Sequence, residues 1–221
     1  MHWHHLFSRT QDRLQIASII PVKTFSKAKS RLGLSQDKTE QLCKIMLEEV
    51  LSAISQSQIN KTVIVSRDES AFEIAKKYNT IQIYDELENG VNAAVALAEK
   101  YLLENNFDVS VVFPQDIPLI RAQDINELLR YQKTPHLIVV PSRKFDGTNA
   151  LLRSPINIME THYDEDSYKI HLTTAKSRNI PTTFALISRI MWDVDDQSDI
   201  EFIMSNIEKP VLANKLKNVL G

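Results

Sequence analysis

The chain is expected to fold as a three-layer αβα domain around a mostly parallel sheet. Three observations carry that expectation. Segments of strand character alternate with segments of helical apolar spacing along most of the chain. The strand segments are continuous apolar runs rather than apolar–polar alternations, as a sheet covered on both faces requires. A length of 221 residues, with 43% hydrophobic and 24% charged side chains, suits one domain with a real core.

The elements follow in order. Residues 1–17 are polar and irregular, with His2, His4 and His5 around Trp3, and are expected to form a flexible extension before a single domain over residues 18–221. Ile19-Ile20-Pro21-Val22 reads as a buried strand leading into a basic loop. Asp37 and Glu40 form a capping-box-like pair ahead of a helix that aligns Cys43, Met46, Leu47, Val50 and Ile54 on one face. Thr62-Val63-Ile64-Val65 is the next strand, followed by a helix from Glu69 to Tyr78 and a strand from Ile81 to Tyr84. Val91, Val95, Ala98 and Leu102 recur at helical spacing. Val109 to Phe113 is a strand, Asp124 to Tyr131 a helix and Leu137 to Val140 a strand. The second half is less regular: a strand at Ala150–Arg153, a helix at Ser167–Arg178, a strand at Thr183–Ile187 and a closing helix at Gln197–Asn206.

Composition excludes several classes. A formal net charge of −2 argues against a sequence-independent grip on nucleic acid. One cysteine, Cys43, rules out an intramolecular disulfide and reads as a small core residue. No apolar run approaches the ~18 residues of a membrane span. Met1 to Arg13 lacks the apolar centre of a signal peptide, so no membrane and a reducing cytoplasm are expected. Only four glycines occur, and Gly33, Gly90 and Gly147 fall in loops, where positive φ or close approach to a ligand is expected.

In open parallel sheets, ligands bind beyond the carboxyl ends of the strands. After the first strand, Lys23, Lys27, Lys29 and Arg31 crowd one loop with no acidic residue, a cradle for a triphosphate or simply a solvated basic loop. No GxxxxGK[ST] occurs, which excludes a P-loop. Ser66-Arg67-Asp68 follows the second strand. Gly90 opens the next helix, with Asn92 able to bond a base or ribose. Asp116, between Pro114 and Pro118 directly past a strand, is a hard oxygen ligand suited to Mg²⁺, or else a cap. Asp193 and Asp195, two apart in an extended segment, face one side and can share a cation, with Asp196 alternatively capping the last helix. Gly147-Thr148-Asn149 offers amides and a hydroxyl to a carboxylate or phosphate. His171, four residues after Ser167, reads as a packed or capping histidine rather than an acid–base group.

Several segments occur in an order that resembles one family: Pro21-Val22-Lys23, Ala28-Lys29-Ser30-Arg31-Leu32, Val65-Ser66-Arg67-Asp68, Gly90-Val91-Asn92-Ala93-Ala94, Pro114-Gln115-Asp116-Ile117-Pro118-Leu119, Gly147-Thr148-Asn149-Ala150-Leu151 and Asp193-Val194-Asp195. Together they resemble the 2-phospho-L-lactate guanylyltransferases of coenzyme F-420 biosynthesis, also described as phosphoenolpyruvate guanylyltransferases. The resemblance runs from about Ile19 to Ile203. It implies a nucleotide-diphosphosugar-transferase-like, Rossmann-like fold, GTP as donor, a small phosphorylated carboxylic acid as acceptor and pyrophosphate as by-product. The acceptor would be 2-phospho-L-lactate, phosphoenolpyruvate or 3-phosphoglycerate, and a downstream transferase would take the diphosphate product.

Residue by residue, the resemblance implies Mg²⁺ on Asp116, Asp193 and Asp195. It puts the GTP phosphates on Lys23, Lys29 and Arg31, which with Asp116 are the expected catalytic residues. Ser66, Gly90 and Asn92 would line the guanosine site, and Thr148, Asn149 and Ser167 the acceptor site. One departure stands out: the family carries Gly three residues before the serine matching Ser167, where this chain has Asp164, followed by Glu165 and Asp166. Either the loop is offset or acceptor choice differs. The alternatives are a related nucleotidyltransferase with another phosphorylated acceptor and a non-catalytic nucleotide-binding regulatory module. Molybdenum-cofactor nucleotidyltransferases are disfavoured, because they begin with a Gly-rich loop where this chain has Gly33 alone.

Overall fold

Strands whose alternate residues face two apolar layers dictate the architecture. The computed structural model describes residues 14–29, 32–164 and 166–221. Its strands are β1 (Ile16–Val22), β2 (Lys61–Ser66), β3 (Ile81–Tyr84), β4 (Val109–Val112), β5 (His136–Pro141), β6 (Thr148–Ser154) and β7 (Thr182–Phe184), in the sheet order β3-β2-β1-β4-β6-β5-β7. β6 runs antiparallel to both β4 and β5; every other pairing is parallel. The histidine-bearing segment expected to be flexible lies outside the described residues. Ile16 and Ala17, assigned by sequence to that extension, belong to β1.

Successive strand residues point to opposite faces. Ile20, Val22, Ile64, Val111, Ile138 and Leu152 enter one core with α1 (Gln36–Ser55), α2 (Glu69–Lys76), α4 (Ala122–Arg130), α7 (Gln197–Ser205) and α8 (Pro210–Leu220). Ile19, Val63, Val65, Val112, Val139 and Leu151 enter the other with α3 (Val91–Glu104) and α5 (Ser167–Ser177). This is the expected three-layer arrangement. Among the described residues, no helix is long and apolar enough to cross a membrane.

Two helices were not expected: α6 (Ser188–Met191) and α8. The cap of α1 also differs. Ser35, not Asp37, accepts the amide of Lys38, because Asp37 already lies in the first turn. Gly33 and Gly90 have positive φ (65° and 90°), whereas Gly147 does not, and a Cβ there would meet Ser142 only at 3.8 Å.

Candidate active site

The chain leaves β1 in one direction to β2 and β3, and β4 lies on its other side. That reversal opens a crevice at the carboxyl ends of β1 and β4. A cavity of about 660 Å³ occupies it. Because β6 is antiparallel, its first residue, Thr148, reaches the same end of the sheet.

At the centre, Pro114 and Pro118 stiffen the loop that carries Asp116. The amide of Val194 donates to the Asp116 carbonyl at 3.0 Å, stitching this loop to residues 192–196. Those residues are not a strand, so the shared side of Asp193 and Asp195 comes from the stitch and from Asp199 rather than from sheet alternation. Buried Asp199 accepts the amides of Asp195 and Asp196 at 2.9 and 3.1 Å and a bond from Arg143 at 2.9 Å. Trp192 stacks on Phe202 of α7 at 3.8 Å, with the Arg143 guanidinium 4.2 Å from its ring centre.

Lys29 places its ammonium between two carboxylates, 2.5 Å from Asp116 and 3.2 Å from Asp195. Burial works against that charge, but the two carboxylates outweigh it and hold the ammonium above its ordinary pKa. Asp193 is pushed up to about 7 by burial and by the nearby charges of Asp116 and Asp195. The cluster therefore carries more negative charge than one ammonium can balance.

Among the described residues, no group of three or more Asp, Glu, His or Cys side chains is arranged to hold a metal ion. Asp193 does not line the cavity, and its Oδ1 accepts from Asn149 at 3.2 Å. The expected three-carboxylate ligand set is thus not preassembled. Asp116 and Asp195, which do line the cavity, are a pair of hard oxygen donors. Such a pair fits Mg²⁺, which is commonly held by one or two carboxylates plus substrate phosphates.

Lys23 lines the cavity and forms no ion pair among the described residues. Arg31 lies outside the described residues. The loop bearing Lys23 is latched by two carboxylates the sequence did not single out for this role. Asp68 accepts the amide of Phe25 at 2.8 Å while capping α2 through Ser70. Glu88 accepts the amide of Thr24 at 2.6 Å and pairs with Lys27 at 3.0 Å. Against the effect of burial, those two bonds hold the Glu88 carboxyl down at about 2.

Ser66 and Asn149 turn their side chains into the scaffold, whereas Asn92 lines the cavity while also holding a neighbouring segment. Ser66 is 1% exposed; its hydroxyl donates to the Val22 carbonyl at 2.9 Å and accepts the Asp68 amide at 3.0 Å. The Asn92 carbonyl oxygen accepts the Tyr163 amide at 2.8 Å, which anchors the segment after β6 across the crevice. Asn149 is buried and spends its amide on the Ile190 carbonyl and Asp193. Gly90 does border the cavity, at the start of α3.

At the other end, Thr148 borders the cavity in front of two buried partners. The backbone amide of His162 donates to His171 Nε2 at 2.9 Å, so the imidazole proton is on Nδ1, 3.0 Å from Thr148 Oγ1. The Ser167 hydroxyl donates to the same oxygen at 3.0 Å. Both acceptor sites of Thr148 are then filled, and its own hydrogen is free to donate into the cavity. Ser167, expected to touch the acceptor, stands behind Thr148. Burial, with the charges of His162 and Arg153, lowers the His171 pKa to about 3 and keeps the ring neutral. Tyr163 and Asp164 also line this end, as does Gln115, whose buried Oε1 has no hydrogen-bond partner among the described residues. In the sequence, Gln115 stands out only as a member of the Pro114–Leu119 segment, and nothing in its spacing singles it out.

The family described as "Guanylyl transferase CofC like" matches residues 16–219. A phosphoenolpyruvate guanylyltransferase from Conexibacter woesei is 30% identical over 189 residues, covering 83% of this chain and 85% of its own. A 2-phospho-L-lactate guanylyltransferase from Methanobrevibacter smithii is 32% identical over 167 residues, covering 75% and 73%. Among solved structures, a putative nucleotide-diphospho-sugar transferase from Desulfovibrio desulfuricans G20 superposes with a TM-score of 0.75 at 15% identity, covering 93% of this chain and 95% of that one. A cytidylyltransferase from Leptospira borgpetersenii gives 0.59 at 12% identity, covering 94% and 93%. These structural likenesses identify the fold as that of the nucleotide-diphosphosugar transferases.

Proposed function

The chain belongs to the CofC-like guanylyl transferase family and is a nucleotidyltransferase, and from that premise we propose that its crevice moves GMP from GTP to a small phosphorylated carboxylic acid. Pyrophosphate leaves, and the diphosphate product serves coenzyme F-420 biosynthesis, where a downstream transferase takes it up. The observation that carries this reading is the Lys29 ammonium held between Asp116 and Asp195 at the mouth of β1 and β4. Such alternating charge suits polyanions brought together with a cation.

A phosphate oxygen of the acceptor attacks the α-phosphorus of GTP. The new P–O bond forms in line with the breaking bond to the β-phosphate, and pyrophosphate carries away the electron pair. A phosphate monoester has a second pKa of about 6, so the nucleophile is already ionised at neutral pH and no general base is needed. His171 fits this account, because both its ring nitrogens are committed. Lys23 and Lys29 bind the phosphates and offset the charge of the leaving group. Thr148 donates its hydroxyl to the anionic end of the acceptor. Mg²⁺, held by Asp116 and Asp195, would supply further charge neutralisation on the phosphate oxygens.

The reading also places the work in the cytoplasm, where GTP is supplied. Asp116→Asn tests the site: the variant is expected to fold with unchanged circular dichroism and to lose most pyrophosphate release. Turnover at the level of the unaltered protein would remove Asp116 from the chemistry.

A further inference from the structure

At the far end of the crevice from Asp116, another carboxylate, Asp85, faces the cavity with no role in the chemistry above. Asp85 follows β3 directly, and its amide donates to the Ser66 carbonyl at 2.8 Å, so its position is fixed by the sheet. It is 6% exposed and lines the cavity. Its Oδ1 accepts the amide of Glu88 at 3.0 Å. It forms no ion pair among the described residues, and none of their donors reaches Oδ2. That oxygen opens onto the cavity rather than being sealed off, so a ligand donor can reach it there.

The identity of that donor follows from the layout. β3 and β4 are separated by β2 and β1, three strand spacings or about 14 Å. A nucleotide with its phosphates at Lys23 and Lys29 directs its base away from Asp116, toward β3. Apolar side chains from β1, β2 and the start of α3, among them Pro21, Val65 and Ala94, line the cavity and suit a flat ring. A carboxylate accepts through both oxygens and donates nothing. Guanine alone among the common bases presents two adjacent donors, N1–H and the 2-amino group. Adenine and cytosine set an acceptor beside their amino group, and uracil flanks its single N–H with carbonyls.

We infer that Asp85 reads the base of the donor nucleotide, its carboxylate accepting the N1–H and 2-amino hydrogens of guanine. The inference rests on the proposed GTP chemistry and gives it a residue for base choice. Calorimetric titration with Mg²⁺ and without acceptor keeps binding separate from transfer. The unaltered protein should bind GTP about 10- to 100-fold more tightly than ITP, which lacks the 2-amino group, the usual range for a hydrogen bond to a charged group. Asp85→Asn keeps an oxygen for the Glu88 amide and turns a donor toward the cavity. It should bind XTP, whose 2-position is a carbonyl, more tightly than GTP.

Equal binding of GTP and ITP by the unaltered protein would overturn the inference, and this arm decides if the variant does not fold. A folded Asp85→Asn protein that weakens GTP, ITP and XTP alike would also overturn it, leaving the carboxylate to the ribose or the scaffold. ATP binding as tightly as GTP is a different result, and contradicts the guanylyl reading itself.

Discussion

Thr148 holds one hydroxyl where two buried donors, Ser167 and His171, fill its lone pairs, and this decides what the hydroxyl can do in the cavity. It can only donate. Thr148→Val should therefore raise the KM for the acceptor about 10- to 100-fold while changing the KM for GTP little, as initial rates with each substrate varied would read. The same network has a pH signature. His171 titrates near 3 in the folded chain and near 6.5 when unfolded, so below about pH 6.5 the unfolded chain takes up a proton that the fold refuses. Stability is thus lost as pH falls from about 6.5 toward 3. The loss by pH 5 is about 2 kcal/mol, readable from urea midpoints at pH 7 and pH 5, and His171→Gln should abolish this component. At this scale the sequence marked residues that the structure brings to the cavity where a residue type carries its own chemistry, as with Asp116, Lys23 and Lys29. It was illegible for Ser66 and Asn149, whose side chains are spent inside the scaffold. Their partners are backbone groups or residues far along the chain, and no spacing records such a bond.

Loops and helices place these residues, and two elements do so in ways the sequence only half revealed. Gly90 begins α3 at φ 90° and ψ 175°, a region that side-chain-bearing residues avoid. A Cβ there would meet nothing within 4 Å, so the requirement is one of backbone and not of space. Gly90→Ala should cost about 1–3 kcal/mol in a denaturant titration. The positive φ was legible from the rarity of glycine in the chain, but the same argument failed for Gly147.

Helix α8 was missed, although Pro210 at its first turn is a usual helix start. Leu212 and Leu216 recur one turn apart, too short a pattern to stand out without the α1 surface it covers. Lys209, just before α8, donates to the carbonyls of Pro118 and Ile120 at 2.7 and 3.0 Å and pairs with Glu49 at 3.1 Å, so it braces the Asp116 loop from behind. Leu216→Ala should destabilise the fold by about 2–5 kcal/mol, the range for removing a buried leucine side chain. Calorimetric melting checks it, and a change below 0.5 kcal/mol would mean that α8 contributes little to the core.

Across the whole molecule, the alternation of strands and helices was enough to read a three-layer sheet domain, because apolar runs buried on both faces have few other homes. The antiparallel insertion of β6 between β4 and β5 was not legible; strand order depends on contacts that no single segment encodes. That insertion matters, since it turns Thr148 to the same edge as Asp116 and puts acceptor and nucleotide ends on one crevice. The cavity is lined by Asp85, Lys23, Lys29, Asp116 and Thr148, which the proposed reading takes in the order base, phosphates, metal-side carboxylate and acceptor donor. Such a crevice is proposed to transfer a guanylyl group to a phosphorylated acid. The most direct measurement is pyrophosphate release with Mg²⁺, crossing GTP and ATP with 2-phospholactate, phosphoenolpyruvate and 3-phosphoglycerate. The account predicts release with GTP and at least one of these acids, and little with ATP. Release without any acid, or equal release from both nucleotides, would contradict it.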